Sequence, residues 1–325
     1  MKFLKTALVG LLAAAAALAS LPGLAQDYPN RAIRMIVPQP PGGGFDLVGR
    51  VVANKLSELL GSPVVVDNRS GAGTLIGTEA AIKASADGYT LLVGGFSNIV
   101  ANVGLYKQLS YDPQADLVPV GMVMSIAYVL VSRKDLPMNS LREIIEFARA
   151  NPGKLTYASG GVGTGQHIVT AALTDLAGVR MSHIPYRGAQ AAYQDLLSGR
   201  LDLFFDNAGT ATPYLLSGGV KGYAVSTKAR SARLPNLPAV SETGVANLET
   251  ESWFGIFARS GTPAPALERL RAEMTKVVAS PDVSERFEKG GSSMMRMSAA
   301  EAEAFVKAEI ATWPPIIRRA GISAD

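Results

Sequence analysis

Two glycine-rich stretches carry most of the chemical potential of this sequence. Gly42-Gly43-Gly44-Phe45-Asp46 follows a β-branched run, and Gly160-Gly161-Val162-Gly163-Thr164-Gly165 leads to His167. A glycine loop joining the carboxyl end of a strand to the amino end of a helix exposes unpaired backbone N–H groups to the positive end of the helix dipole, which favours an anion. Two such loops facing each other make a carboxylate clamp. A glycine-rich turn is also a plain connector, and both readings stand at this level. Gly42-Gly43-Gly44 matches neither the phosphate loop, which needs Gly-Lys-Ser/Thr, nor the dinucleotide fingerprint.

Other polar residues sit at the same kind of position. Asp46 is read as the cap of the helix it opens, with ligand contact as an added role, and Thr74 carries the same ambiguity. His167 falls just inside a helix, where the dipole favours the neutral ring and a structural hydrogen bond, and His183 on a strand reads as more structural still. Asp206 closes the apolar run 201–205, where open α/β sheets bind ligands and where it could equally cap the next helix. Arg187, in Tyr186-Arg187-Gly188, either pairs with an anion or is solvated. A catalytic reading finds little, since the chain has no His-Glu-x-x-His, no metal-ligand cluster and no Gly-x-Ser-x-Gly elbow.

The elements that must position these loops follow from hydrophobic periodicity. Strands are expected at residues 33–37, 64–66 and 89–93, alternating with helices that begin near Asp46 and Thr74, which implies parallel pairing with helices on both faces. The grammar repeats with an apolar stretch at 128–131, a helix at 140–150, a strand at 155–159, a helix at 166–176, and strands at 182–185, 201–205 and 222–226. After these come the run Trp253-Phe254-Gly255-Ile256-Phe257, a helix at 265–279 and a last one at 299–310, which Pro314 and Pro315 are expected to break. These final segments are too few for a domain and should return to the first sheet. The result is a discontinuous first lobe, residues 26–127 and 251–325, and an inserted second lobe, residues 128–250. Hinge crossings are expected near 126–130 and 252–257.

At the amino terminus Lys2 and Lys5 precede the apolar run 7–19 and the small residues Gly23-Leu24-Ala25, the pattern of a secretory signal peptide cleaved after Ala25. That run is shorter than the roughly 20 residues a membrane span requires. The chain has 31 Lys and Arg against 27 Asp and Glu, and removing Lys2 and Lys5 with residues 1–25 leaves 29 against 27. So small a surplus, spread along the chain, supplies no basic stripe for nucleic acid. Absence of cysteine excludes disulfides and thiolate chemistry, and export without disulfides suits a bacterial periplasm.

In order and spacing, the chain resembles the Bug family of extracytoplasmic solute receptors associated with tripartite tricarboxylate transporters. The resemblance runs through Pro41-Gly42-Gly43-Gly44-Phe45-Asp46, Asp67-Asn68-Arg69 with Gly71-Ala72-Gly73, Asp87-Gly88-Tyr89-Thr90, Asn151-Pro152-Gly153-Lys154, Tyr157-Ala158-Ser159, Pro185-Tyr186-Arg187-Gly188, Gly261-Thr262-Pro263 and Trp313. It implies a type II periplasmic-binding-protein fold, an α/β architecture whose two lobes close over a ligand cleft. By position, it implies first-lobe contacts from Gly44, Phe45, Asp46 and Thr74, with Ser97 from a third loop. From the second lobe it implies Ser159, Gly161, Thr164, His167, Gly188 and Asp206. The expected ligand is a small organic acid, amino acid or related metabolite, the partners are integral membrane transporter components, and the receptor is a monomer that needs no cofactor. A sensing subunit or a periplasmic hydrolase are the competing readings. Two positions depart from the family pattern: Phe45 stands where a small or hydroxyl residue is usual, and Thr74-Leu75 where a polar, glycine-rich segment is usual. Either Phe45 and Leu75 set apolar surface beside the carboxylate site, or both turn into their own lobe's core.

Overall fold

A computed structural model describes residues 28–231 and 233–324, so the expected leader lies outside the described residues. The strand Ile33–Val37 (β1) is buried at four of its five positions, as a central parallel strand covered on both faces must be. It leads into the helix Gly44–Leu60 (α1), whose buried residues, among them Val48, Val52, Leu56 and Leu60, recur on one face and which Gly61 ends in the left-handed conformation. The strand Val64–Asn68 (β2), the helix Leu75–Ile82 (α2) and the strand Thr90–Gly95 (β3) continue the alternation, and β1 pairs in parallel with both β2 and β3. A π-helical segment, Phe96–Ala101, and two short helices, Asn102–Leu105 (α3) and Pro113–Asp116 (α4), follow.

The strand Leu117–Arg133 (β4) joins the two halves. Its first part, through Ala127, pairs antiparallel with Glu251–Arg259 (β9), and its second part, from Tyr128, pairs with Leu203–Asn207 (β7). The expected short strand at 128–131 is therefore only the far end of a 17-residue one. Register shifts at Pro119/Gly121 and Met122/Met124 bend its first half. The second half carries helix Leu141–Ala150 (α5), strand Thr156–Ser159 (β5), helix Gly165–Ala177 (α6), strand Ser182–Pro185 (β6), helix Ala189–Leu197 (α7), helix Ala208–Leu216 (α8) and strand Val220–Val225 (β8). Strand order is β2-β1-β3-β9-β4-β7-β5-β6, with β8 and the two-residue strand Ser293–Met294 (β10) also pairing with β4. Because β9 pairs with both β3 and β4, the chain returns to the first half as expected.

Helices Ala264–Ala279 (α9), Pro281–Lys289 (α10) and Ala299–Arg319 (α11) complete the first half. The expected break at Pro314 and Pro315 does not occur, and α11 runs on to Arg319. Tertiary packing overrides the lost hydrogen bonds: Trp313, Pro314 and Ile317 are buried, and the Pro314 and Ile317 side of the helix lies so close to Gly104 that no side chain fits there.

Candidate functional site

Three loops at the carboxyl ends of β1, β2 and β3 form the first half of the candidate site. In the first, α1 starts at Gly44 with Gly43 in the cap position, so Asp46 does not cap from outside the helix as the sequence suggested. Standing in the first turn, its carboxylate reaches back to accept the Gly42 N–H (3.0 Å) and also accepts from Asn68 Nδ2 (2.9 Å) and Arg50 Nε (3.0 Å). Hydrogen bonding from the Arg50 guanidinium, aided by the Gly42 and Asn68 donors, holds Asp46 down to about 2 despite its burial. Asp46 thus ties loop, helix and β2 together. The Phe45 ring is buried edge-on against Phe254, at 5.0 Å and 87°, inside the first-half core. Its apolar surface is spent on packing, so only its backbone remains for a ligand.

The second loop, residues 71–74, has positive φ throughout: Gly71 137°, Ala72 44°, Gly73 63° and Thr74 107°. A β-branched residue at φ 107° is strained and needs external support. Thr74 receives it from Asn102 Nδ2, which donates to its Oγ1 (3.1 Å), and from Thr78 Oγ1, which donates to its carbonyl (3.0 Å). The third loop turns into the π-helical segment, where Ser97 is half-buried and Asn98 Oδ1 accepts the Gly95 N–H (2.8 Å).

Loops after β5, β6 and β7 form the other half. Ser159, fully buried, donates through Oγ to the Gly161 carbonyl (2.9 Å), while the Gly161 N–H donates back to it (3.1 Å); Thr164 Oγ1 donates to the same carbonyl (2.8 Å). The Gly163 N–H donates to His167 Nδ1 (3.2 Å), so His167 braces the loop as a neutral acceptor. Its ring stacks on His183 at 3.8 Å, and His183 stacks on Tyr157 and bonds Ser159 Oγ (2.7 Å). Burial and the neighbouring His183 push His167 down to about 4. Gly188, at φ 101°, precedes α7. Arg187 is exposed and makes no ion pair among the described residues. Asp206 is fully buried at the end of β7; Oδ1 accepts from Gln166 Nε2 (3.1 Å), whereas Oδ2 makes no hydrogen bond of good geometry, with the Asn207 N–H and the Tyr193 hydroxyl the donors beside the carboxylate. Burial pushes it up to about 6.

The two sets of loops approach each other. Leu105, at the end of α3 in the first half, contacts Gly163 of the second. Arg319 of α11 pairs with Asp175 of α6 at 2.8 Å. Residues the sequence reading missed are supports: Asn68, Gln166, Asn98 and Asn102. The four-residue spacing of Asn98 and Asn102, which sets both on one helical face, was the available signal.

Two α/β lobes joined through shared β strands, with glycine loops from both converging, define a two-lobed solute-binding protein of the periplasmic-binding-protein fold. Residues 48–322 match the tripartite tricarboxylate transporter family receptor, and the chain belongs to that family. It is a solute receptor. Protein BugT of Bordetella pertussis is 34% identical over 316 residues, covering 97% of this chain and 97% of its own. Among solved structures, R. palustris Rpa4515 with adipate has a TM-score of 0.80 at 33% identity, covering 91% of this chain and 99% of its own. MatC from Rhodopseudomonas palustris with bound malate has a TM-score of 0.78 at 29% identity, covering 89% and 100%.

Proposed function

We propose that this receptor works in the periplasm, captures a small carboxylate between its lobes and delivers it to membrane-embedded transporter subunits. The observation that carries this reading is a set of helix starts left without side-chain caps on the loops at the candidate cleft. Gly43, Thr74, Gly95, Thr164, Gly188 and Asn207 precede the helical segments at the candidate cleft, and none of them makes a side-chain cap hydrogen bond. Away from the cleft, Asp112, Ser140 and Ser298 cap α4, α5 and α11, while α9 and α10 have no side-chain cap and carry a proline in the first turn instead. Uncapped starts leave backbone donors for a ligand, and their dipoles favour an anion. The carboxylates in the two relatives' structures support the same chemistry.

In this reading Gly44, Phe45, Ser97 and Gly188 face the ligand through backbone N–H groups, while Thr74, Gly161 and Thr164, whose N–H groups are bonded within their own loops, join Asp46, Ser159 and His167 in shaping the loops that present the site. Asp206, with one oxygen lacking a hydrogen bond of good geometry, would be completed by a small shift of the Tyr193 hydroxyl, by an ordered water or by a donor on the ligand. The lobes divide at residues 127/128 and 250/251, where β4 changes partners and β9 begins, and the leader is removed after Ala25. Stripped of any co-purified ligand, the protein should be thermally stabilised by malate, adipate or a related acid without hydrolysing ester or amide substrates. Turnover, or stabilisation by no carboxylate, would contradict the reading.

A further inference from the structure

A buried polar network links two of the first-lobe loops, and none of its inner members faces solvent. Asn98 and Thr78 are fully buried, and Asn102, Thr74 and Tyr111 nearly so. Asn98 Nδ2 donates to Thr78 Oγ1 (3.1 Å), and Thr78 Oγ1 donates to the Thr74 carbonyl. Asn102 Nδ2 donates to Thr74 Oγ1 and to the Tyr111 hydroxyl (3.0 Å), which in turn donates to the Asn98 carbonyl. Thr74 is therefore gripped at its side chain and at its carbonyl, and its own N–H donates to the Gly71 carbonyl (3.1 Å).

This geometry matters because Thr74 occupies backbone space that a threonine avoids. A left-handed, β-branched residue persists only where its surroundings over-determine it. Fully satisfied buried networks are suited to that task, since breaking one member leaves the others unpaired in a dry environment. Thr74 immediately precedes α2, so its dihedral angles set the direction in which the first α2 N–H groups point.

We propose that Asn102 is a positioning residue of the receptor site, holding Thr74 in its left-handed conformation and thereby aiming the amino end of α2 into the cleft. The functional consequence rests on the proposed carboxylate capture, but the positioning itself does not, and the two are tested separately. Hydrogen exchange of the ligand-free, full-length protein reads the positioning. Asn102→Leu keeps the approximate shape and removes the donors; it should raise exchange of peptides spanning 70–78 by about tenfold while those spanning 33–37 stay unchanged. Thr74→Gly supplies a residue that needs no tether at positive φ, so in that background Asn102→Leu should raise exchange by less than about threefold.

Binding of malate and adipate to the same four proteins reads the consequence, with weakening by Asn102→Leu and partial rescue by Thr74→Gly expected. Uniform acceleration across all peptides, or equal effects in both backgrounds, would overturn the positioning role. Exchange as expected with no binding of any carboxylate by wild type would leave positioning intact and contradict the function instead. If Asn102→Leu does not fold, Tyr111→Phe removes a hydroxyl from the same network, and absence of faster exchange at 70–78 would count against the proposal.

Discussion

Closure of the lobes can be opposed by one methyl group. Gly209 is the second residue of α8 in the second lobe, and a Cβ there would lie closer than 3.0 Å to the carbonyl oxygen of Gly290, beyond the end of α10 in the first lobe, and 3.3 Å from Ile126 Cδ1. The obstructing atom is backbone oxygen, so no rotamer change relieves the overlap. Overpacking of this kind costs about 1–3 kcal/mol. It falls on the arrangement of the two lobes rather than on either lobe alone, while alanine suits a helix better than glycine by up to about 1 kcal/mol. Gly209→Ala should therefore leave the thermal midpoint of ligand-free protein unchanged or raised, enlarge its radius of gyration, and weaken carboxylate binding about 5- to 150-fold. Titration calorimetry and small-angle scattering measure these directly. Unchanged affinity and radius would refute the reasoning; a lowered midpoint with normal affinity would mean that the methyl group disturbs α8 alone.

Three further outcomes are expected. His167 sits at about 4 and Asp206 at about 6, against roughly 6.5 and 3.9 in unfolded chains. As pH falls through that window the unfolded chain takes up the histidine proton first and stability drops, whereas the folded protein takes up the Asp206 proton first and stability rises. The two effects are opposed in sign, each on the order of 3 kcal/mol. Asp206→Asn should expose the histidine loss in urea melts between pH 6.5 and 4, and a flat profile for that variant would be evidence against a neutral, buried His167. Asp46→Ala frees the Gly42 N–H, Asn68 and Arg50; it should cost about 1–3 kcal/mol at pH 7 and weaken binding. In the wild type, Asp46's contribution should hold above about pH 4 and fade as pH drops towards 2. Phe45→Ser should cost about 3–5 kcal/mol without reordering a panel of dicarboxylates and aromatic monocarboxylates; a changed ranking would return the ring to the cleft.

The repeating strand, loop and helix pattern was legible because each element has its own period. Strands 33–37 and 182–185 have the expected bounds, and α6 differs by one residue at each end. Tertiary effects decided the failures. β4 extends far beyond the visible run at 128–131 because its first half is held by β9 and β10, partners distant in sequence. α11 passes two prolines because Trp313 and Ile317 anchor it on both sides of them. The site loops could be located from glycine placement, but the direction of the Phe45 ring depends on Phe254, and the support of Thr74 depends on Asn102. Neither partner can be assigned from local sequence.

Loop amides and helix starts are proposed to hold the carboxylate. Calorimetric titration of ligand-stripped protein with each acid that stabilises it, beside the matching primary amide, tests this most directly. Tight binding of the acid and at least a hundredfold weaker binding of the amide, about 2.7 kcal/mol, is the predicted result. Equal affinity for acid and amide, or no binding of either, would contradict it.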